Sequence, residues 1–236
     1  MSSPSHLGNP PMRSFKPRRR SLSPTRAAAY ERAMTRWGIA THGPPLSLDA
    51  VFGGPGPVVL DIGFGSGEAL IELAEIRPDE RVIGIDVHTP GVAAVLEAIE
   101  ARGLANVRVA EGDALDLLGR IPARSVAAVR IFFPDPWPKR RQRARRLLRA
   151  EVVDRLVAIL EPGGTVHVAT DDQQYAGHVR QVCDANPLLR GGIVDRPAWR
   201  PTTRYEQRAL DEGRASIDLL YISAESSDSD SSSALR

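Results

Sequence analysis

Short apolar runs recur through the middle of this chain, and the segments between them carry helical periodicity. The apolar runs predict strands at Val58–Ile62, Arg81–Val87, Val107–Glu111, Val126–Phe133, Thr165–Thr170 and Ser216–Ser223. The other segments predict helices at Thr25–Trp37, Glu68–Glu75, Gly91–Arg102, Leu147–Leu160 and Asp172–Ala185, with Pro162-Gly163-Gly164 ending the fourth of them. Strands that alternate with helices are joined by right-handed crossovers, so the pattern predicts an α/β fold with a mostly parallel sheet.

Both ends of the chain lack this alternation. Residues 1–24 are rich in Ser, Pro and Arg, and residues 224–236 are rich in Ser and Asp. Neither segment carries a hydrophobic pattern that can pack, so we predict that both are disordered. The predicted globular domain is therefore residues 25–223, a length that fits one domain.

Composition narrows the class of protein. The chain has 236 residues, a net charge of +2 and a single cysteine, Cys183. One cysteine cannot form an internal disulfide, which fits a reducing cytosol, so we expect a cytoplasmic protein. No run approaches the ~20 apolar residues of a membrane span, and the N-terminus lacks the apolar region of a secretory signal. The five histidines show no metal-ligand spacing, so no metal site is predicted.

A glycine-rich turn follows the first predicted strand, in the sequence Asp61-Ile62-Gly63-Phe64-Gly65-Ser66-Gly67. Glycines let the backbone turn tightly and let a ligand lie against it. The spacing G-x-G-x-G differs from the G-x-G-x-x-G of dinucleotide-binding proteins, which disfavours an NAD-dependent dehydrogenase. Taken alone, such a turn is equally an ordinary connection between a strand and a helix.

Three acidic residues lie at successive strand ends, and they add to the signal of the glycines. Asp61 precedes the glycines, Asp86 lies at the end of the second strand, and Asp113 follows the third strand. The first can accept a hydrogen bond from an ammonium group, the second can bind both hydroxyls of a ribose, and the third can lie beside an adenine. An amine, a ribose and an adenine together describe S-adenosylmethionine better than NAD.

The fourth strand ends in the turn Pro134-Asp135-Pro136-Trp137-Pro138 and a run of cations: Lys139, Arg140, Arg141, Arg143, Arg145, Arg146 and Arg149. Prolines alone explain a turn, and a charge run is usually a solvated face. However, ligands of parallel sheets bind at the carboxyl ends of strands, which is where this turn lies. The cations also repel one another, so an anionic partner would explain why they stand together. An acid beside an aromatic can bind a base while the cations bind phosphates, so we predict a nucleic-acid partner.

The chain resembles the bacterial tRNA (guanine-N7-)-methyltransferases, the TrmB family. The matching motifs are Arg13-Ser14-Phe15, Gly63–Gly67, Gly84–His88 with Pro90-Gly91, Phe132–Arg146, Ala169-Thr170-Asp171 with Tyr175, and Thr203-Arg204-Tyr205-Glu206. Together they cover the chain from about Arg13 to Tyr221. The block around Asp135 is the specific part, since the glycine loop alone indicates only a methyltransferase.

The resemblance implies a class I methyltransferase fold, Rossmann-like, with a mostly parallel seven-stranded sheet and helices on both faces. It implies S-adenosylmethionine as cofactor, tRNA as partner, and methylation of N7 of guanine 46 in the variable loop. Asp135 is the implied catalytic aspartate, at the border of cofactor and guanine. The implied cofactor site is Asp61, Gly63, Gly65, Gly67, Asp86, Asp113 and Asp135. The implied substrate contacts are Lys139, Asp171, Thr203, Arg204, Tyr205 and Glu206.

Some positions depart from the family pattern. Asp61 and Asp86 stand where glutamate is frequent, Pro138 stands where histidine is common, and Ala209-Leu210 replace a usual glycine. Two other functions remain open: methylation of an exocyclic amine, and RNA binding without catalysis by a vestigial cofactor pocket. A single proline between Asp135 and the aromatic disfavours the first, and the three retained acids disfavour the second.

Deleting residues 224–236 is expected to leave folding and methylation nearly intact, because beyond Ala224 only Ala234 and Leu235 at the far end offer apolar surface. Deleting residues 1–24 is expected to lower tRNA affinity, because Arg13, Lys16 and Arg18–Arg20 can fold onto RNA as it binds. Thermal unfolding and tRNA titration check both truncations. A large loss of thermal stability in either one would contradict the predicted disorder.

Overall fold

The computed structural model describes residues 22–224. The predicted disorder of residues 1–24 and 224–236 therefore lies almost entirely outside the described residues. Within them, the first helix begins at Pro24, one residue earlier than predicted. The Ser23 hydroxyl accepts a hydrogen bond from the backbone N–H of Arg26 (3.4 Å), and proline at the first helical position fits the cap.

Seven strands form one sheet in the order β3-β2-β1-β4-β5-β7-β6. They are β1 Val58–Ile62, β2 Arg81–Asp86, β3 Val107–Glu111, β4 Val126–Phe132, β5 Leu160–Thr170, β6 Leu189–Val194 and β7 Ile217–Ser223. The pairs among β1 to β5 are parallel, and β7 runs antiparallel to both β5 and β6. The predicted mostly parallel α/β sheet is confirmed.

Eight α-helices connect or flank these strands in the described part of the chain. They are α1 Pro24–Trp37, α2 Leu48–Phe52, α3 Glu68–Ile76, α4 Thr89–Arg102, α5 Ala114–Leu118, α6 Ala150–Ile159, α7 Gln173–Asp184 and α8 Arg204–Asp211. A short 3₁₀ helix, Arg140–Arg145, follows the turn after β4.

The sheet is buried on both faces, which explains why β1 is buried at every position. On one face Leu60 and its neighbours pack against α5, α6 and α7. On the opposite face Val59 packs with α1, α3 and α4. Farther along that second face, on β4, β5 and β7, the buried residues are polar: Arg130, His167 and Asp218.

Two predicted boundaries differ from the structure by three residues or more, for different physical reasons. Helix α6 begins at Ala150 and not at Leu147, because the 3₁₀ segment and an extended Arg149 precede it. Pro162-Gly163-Gly164 does not separate α6 from β5. The chain passes from Ile159 directly into β5, where Leu160 pairs with Val126 across a register shift. Pairing with β4 therefore overrides the turn preference of these residues.

Cys183 lies on α7 and its side chain is fully buried in the core. Burial, with the nearby carboxylate of Asp184, raises the pKa of its thiol to about 12. The thiol thus stays protonated at physiological pH and acts as a small core residue.

Candidate functional site

A cavity of about 310 Å³ opens at the carboxyl ends of β1, β2 and β4. Its wall includes Gly63 and Gly65 after β1, Asp86 at the end of β2, Gly112 after β3, and Asp135 after β4. This is the edge of a parallel sheet where ligands bind, and the volume falls at the low end of the range of small-molecule sites. The structure thus brings together four of the loops that the sequence singles out.

The three glycines of the first loop have different structural roles. Their φ angles are +77° at Gly63, +62° at Gly65 and +79° at Gly67, in the left-handed region that glycine tolerates. A Cβ at Gly63 or Gly65 would meet nothing within 4 Å, so these positions leave space for a ligand. A Cβ at Gly67 would lie 1.9 Å from the Cγ2 of Val95, so this glycine lets α3 pack against α4.

Asp86 is held at the cavity by two backbone donors. Its Oδ2 accepts from the N–H of Gly65 (2.7 Å) and its Oδ1 from the N–H of His88 (2.7 Å). Burial raises the pKa of this carboxyl, although the two hydrogen bonds act in the opposite direction. Each oxygen keeps a further lone pair, so Asp86 can still accept hydrogen bonds from ligand hydroxyls.

Asp61 is buried on β1 and faces the opposite side of the sheet from Ile62, which lines the cavity. Its register partner on β4 is Arg130. Burial raises the pKa of Asp61 to about 7; the positive charge of Arg130 opposes this rise, and the negative charge of Asp86 adds to it. A buried carboxyl that is poised near neutrality can respond to a cation placed nearby.

Asp113 lies beside the cavity as the N-cap of α5. Its Oδ1 accepts a hydrogen bond from the backbone N–H of Leu115 (3.0 Å), while its neighbours Gly112 and Ala114 line the cavity. The carboxylate therefore fixes the start of α5 against the cavity wall.

The turn after β4 holds Asp135 between two residues with unusual backbone angles. Phe133 has φ +53° and Trp137 has φ +44°, values that are strained for residues other than glycine. The N–H of Phe133 donates to the carbonyl of Ala169 (2.7 Å), which pins the turn to β5. Asp135 itself is exposed, so its carboxylate is available at the cavity mouth.

The basic run divides into exposed and internal residues. Lys139, Arg140, Arg141 and Arg143 are exposed. Arg146 is buried, and its Nε donates to the carbonyl of Pro136 (3.0 Å). This finding corrects the expectation that the whole run faces phosphates, because Arg146 supports the turn that carries Asp135.

Tyr205, on the first turn of α8, faces the Asp135 turn. Its ring centroid lies 5.4 Å from that of Phe133, and its hydroxyl lies 3.4 Å from each carboxylate oxygen of Asp171. Burial raises the pKa of Tyr205, and the negative charge of Asp135 adds to the rise. Asp171 also forms an ion pair with Arg214.

The other residues of the Thr203–Glu206 motif have structural partners of their own. The Thr203 hydroxyl caps α8 by accepting from the N–H of Glu206 (3.0 Å). The exposed Arg204 forms an ion pair with Glu68 at the start of α3 (2.7 Å). Glu206 is 1% exposed, and its carboxylate binds Arg200, so the structure does not bring it to the surface. Sequence reasoning did not find Arg200.

In residues 22–224, no group of three or more His, Cys, Asp or Glu side chains is arranged to hold a metal ion. No helix in that range is both long and apolar enough to cross a membrane.

Comparison with known proteins identifies the class of this fold. Residues 55–219 match the family described as "Putative methyltransferase". A solved structure of a SAM-dependent methyltransferase from Aquifex aeolicus superposes with a TM-score of 0.51 at 14% identity, covering 86% of this chain and 100% of that one. The chain therefore belongs to a methyltransferase family, and its fold is that of the class I methyltransferases, as its resemblance implied.

Two curated relatives, each named tRNA (guanine-N(7)-)-methyltransferase, narrow the assignment. One from Streptomyces avermitilis is 42% identical over 216 residues, covering 89% of this chain and 74% of the relative. One from Nitrosomonas eutropha is 39% identical over 220 residues, covering 92% of this chain and 98% of the relative. The chain belongs to the family of bacterial tRNA (guanine-N7-)-methyltransferases.

The raised pKa of Asp61 predicts a pH-dependent affinity for S-adenosylmethionine. Below a pH of about 7 the carboxyl is largely protonated. A cationic ligand favours the ionised form, so the affinity should rise on the order of tenfold as the pH rises from about 5.5 to 7.5. The folding stability of the free protein should change in the opposite direction. Between the ordinary pKa of an aspartate and about 7, folded Asp61 holds a proton that the unfolded chain releases, so its contribution to stability falls as the pH rises. Calorimetric titration across this range measures the affinity.

The Asp61→Asn variant should lose most of this pH dependence. The exposed Asp79 precedes β2 at the other end of the sheet, so Asp79→Asn is a matched control that should keep the wild-type profile. If the affinity of the wild-type protein for S-adenosylmethionine does not change with pH, the prediction that Asp61 interacts with the cofactor is wrong.

Proposed function

We propose that this protein transfers the methyl group of S-adenosylmethionine to N7 of guanine 46 in the tRNA variable loop, in the cytoplasm. The observation that carries the proposal is the position of Asp135. Its exposed carboxylate lines the cofactor cavity, and a turn with two positive φ angles fixes it there beside Tyr205. The relatives' names supply the class of substrate.

The residues at the cavity fit S-adenosylmethionine. Gly63 and Gly65 leave space along the loop, and Asp86 offers acceptors for the ribose hydroxyls. Asp61 does not line the cavity; it is buried behind Ile62 in the wall, on the side that we assign to the amino acid end. Gly112 in the wall and Asp113 at the start of α5 lie on the side that we assign to the adenine. When bound, S-adenosylmethionine supplies a methyl group on an electrophilic sulfonium.

The protein's part in the reaction is chiefly alignment. Guanine N7 carries an in-plane lone pair, so no proton has to be removed before it attacks. Asp135 accepts hydrogen bonds from donors on the edge of the guanine and so points N7 into the cavity. The exposed ring of Tyr205, next to Phe133, offers a face for the base. Such positioning can contribute several kcal/mol, up to about 7–11.

The tRNA backbone would follow the exposed cations after the turn. Lys139, Arg140, Arg141 and Arg143 extend from the Asp135 turn along the 3₁₀ helix. We assign Asp171 and Arg204 to the other side of the proposed guanine site. A phosphate can replace Glu68 as the partner of Arg204, and Asp171, which pairs with Arg214, can accept a hydrogen bond from a base or ribose donor. Thr203 contributes by capping α8.

Product analysis tests the proposed function directly. The protein is incubated with labelled S-adenosylmethionine and either wild-type tRNA or the same tRNA with adenosine at position 46, and the nucleosides are analysed by mass spectrometry. We expect 7-methylguanosine from the first tRNA only. Label on an exocyclic amine would support the alternative methyltransferase, and no labelling despite cofactor binding would support an RNA-binding protein.

Asp135→Asn should lower methyl transfer by at least about tenfold. The change keeps the size of the side chain, but it removes a charge-assisted hydrogen bond of roughly 1.5–3 kcal/mol, and about 1.36 kcal/mol corresponds to one decade in rate. The fold should survive, because prolines and backbone hydrogen bonds set the turn. Single-turnover kinetics with saturating cofactor measure the rate.

Two controls make the Asp135 result interpretable. Asp79→Asn changes an exposed acid far from the cavity and should retain the wild-type rate. Affinity for S-adenosylmethionine should fall less in Asp135→Asn than methyl transfer does. A wild-type rate in Asp135→Asn would mean that the aspartate is only a turn residue.

Changing Arg140, Arg141 and Arg143 together to Ala should weaken tRNA binding and flatten its salt dependence. Each phosphate contact that is lost should lower the log–log slope by about 0.9 on duplex regions and about 0.7 on single strands. Arg145 is kept, because its guanidinium lies 5.2 Å from the ring centroid of Trp137 in the turn. Binding titrations at several salt concentrations measure the slope.

Arg102→Ala serves as the control for this change. Arg102 lies at the end of α4 and pairs with Glu75 (2.6 Å), away from the 3₁₀ helix. Its removal should leave the slope unchanged. A triple variant with the wild-type slope would show that the exposed cations are only a solvated face.

A further inference from the structure

Arg200 is a fully buried arginine in the segment between β6 and β7, the segment that also carries the Thr203–Glu206 motif. Its side chain is 0% exposed, and it is among the largest fully buried side chains in the described chain. Burial of a permanent charge is costly unless anions and hydrogen bonds compensate for it. The groups that bind the guanidinium therefore indicate the structural role of Arg200.

Two carboxylates from different elements neutralise Arg200. Its Nη1 and Nη2 donate to Oε2 (2.8 Å) and Oε1 (2.6 Å) of Glu206, on α8. Its Nη2 donates to Oδ2 of Asp218, on β7 (3.0 Å), and its Nε lies 2.8 Å from Oδ1 of the same residue. Although burial alone would raise them, Arg200 helps to hold the pKa values of both carboxyls below their ordinary range. The guanidinium thus ties α8 to the sheet.

The same guanidinium also reaches the turn that carries Asp135. Its carbon lies 5.6 Å from the ring centroids of both Phe132 and Phe133. Phe133 has a positive φ, immediately precedes Pro134-Asp135, and contacts the ring of Tyr205. Arg200 therefore lies behind both halves of the proposed guanine site.

Glu206 has no free acceptor surface for RNA. It is 1% exposed, both of its oxygens bind Arg200, and Oε1 also accepts from the hydroxyl of Ser216 (2.9 Å). The resemblance implied that Glu206 contacts the substrate, yet its carboxylate points into the protein. Glu206 also accepts from Arg196 (3.3 Å), but of its three partners Arg200 is the one whose guanidinium reaches Phe132 and Phe133, before the Asp135 turn.

We propose that Arg200 is a positioning residue that fixes the first turn of α8, with Tyr205, against the turn that carries Asp135, and that Glu206 acts on the substrate only through Arg200. The proposal rests on the proposed function, since it assigns a role within that guanine site. The Asp135 turn is the one part of the cavity wall that Arg200 reaches, while the loops after β1, β2 and β3 form most of the rest of that wall. Arg200 should therefore affect methyl transfer far more than the affinity for S-adenosylmethionine.

The test compares Arg200→Lys with Arg196→Lys. Lysine keeps the charge but cannot bridge two carboxylates with a planar fork. Arg196 is a matched control because it also pairs with Oε1 of Glu206 (3.3 Å), but it is 35% exposed and is not the residue beneath the two phenylalanines. For each variant, kcat and KM for tRNA, the Kd of S-adenosylmethionine, and amide hydrogen exchange are measured on the full chain.

For Arg200→Lys we expect kcat to fall about 10- to 100-fold, because misplacing the reacting groups by about 1 Å has an effect of this size. Amide exchange should become faster in α8 but not in β1, β2 or β4, and the Kd of the cofactor should stay within about twofold. Arg196→Lys should remain close to wild type in all measurements. Wild-type turnover, or unchanged exchange in α8, would overturn the positioning role of Arg200.

If Arg200→Lys does not fold, Glu206→Gln tests the proposal instead. In that variant Arg200 keeps Asp218 as its counter-ion, so the fold is expected to survive. It should show the same pattern: slower turnover and faster exchange in α8. Slower turnover with unchanged exchange would place Glu206 in contact with tRNA and would overturn the proposal. If the wild-type protein forms no 7-methylguanosine, the proposed function fails, while the exchange measurement still decides whether Arg200 holds α8.

Discussion

The parallel pairing of β1 with both β2 and β4 determines where everything else in this protein can lie. Asp61 aligns with Gly84 on one side and with Arg130 on the other, so the three strands end at the same edge of the sheet. The glycine loop, the end of β2 and the Asp135 turn therefore meet around one cavity. Residues that are far apart in the chain become one site because helical crossovers return each strand to the same direction.

One face of the second half of the sheet is organised largely by polar and charged side chains, while the other face belongs to the apolar core. On one face of β4, β5 and β7, Arg130, His167 and Asp218 are buried. His167 Nε2 lies 2.7 Å from Asp218, and Arg130 donates to Glu80 (2.6 Å), so each of these buried polar side chains has a close partner. Trp199 lies over this layer, with the guanidinium of Arg130 5.3 Å from its ring centroid. Such pairs add little net stability but define one arrangement of the segment between β6 and β7.

The sequence predicted those features whose signals are local. The glycine loop, the acids at strand ends and the proline-rich turn are each read from a few neighbouring residues, and the fold places all of them at one edge of the sheet. Features that depend on partners distant in the sequence were not predicted. Arg146 is indistinguishable from its neighbours in a basic run, and only the fold shows that it binds the carbonyl of Pro136. Arg200 binds partners 6 and 18 residues away, a spacing that no helical or strand period marks.

The ion cluster of Arg200, Glu206 and Asp218 has a consequence for how this sequence can change over generations. Loss of Arg200 would leave two buried carboxylates without their shared cation, which is far more costly than loss of a surface pair. Acceptable replacements therefore require two or three codons to change together, whereas each of the exposed arginines of the 3₁₀ helix can vary singly. Sequence drift should therefore be slow and correlated at the three buried positions, whereas the exposed arginines of the 3₁₀ helix carry no such coupling to one another.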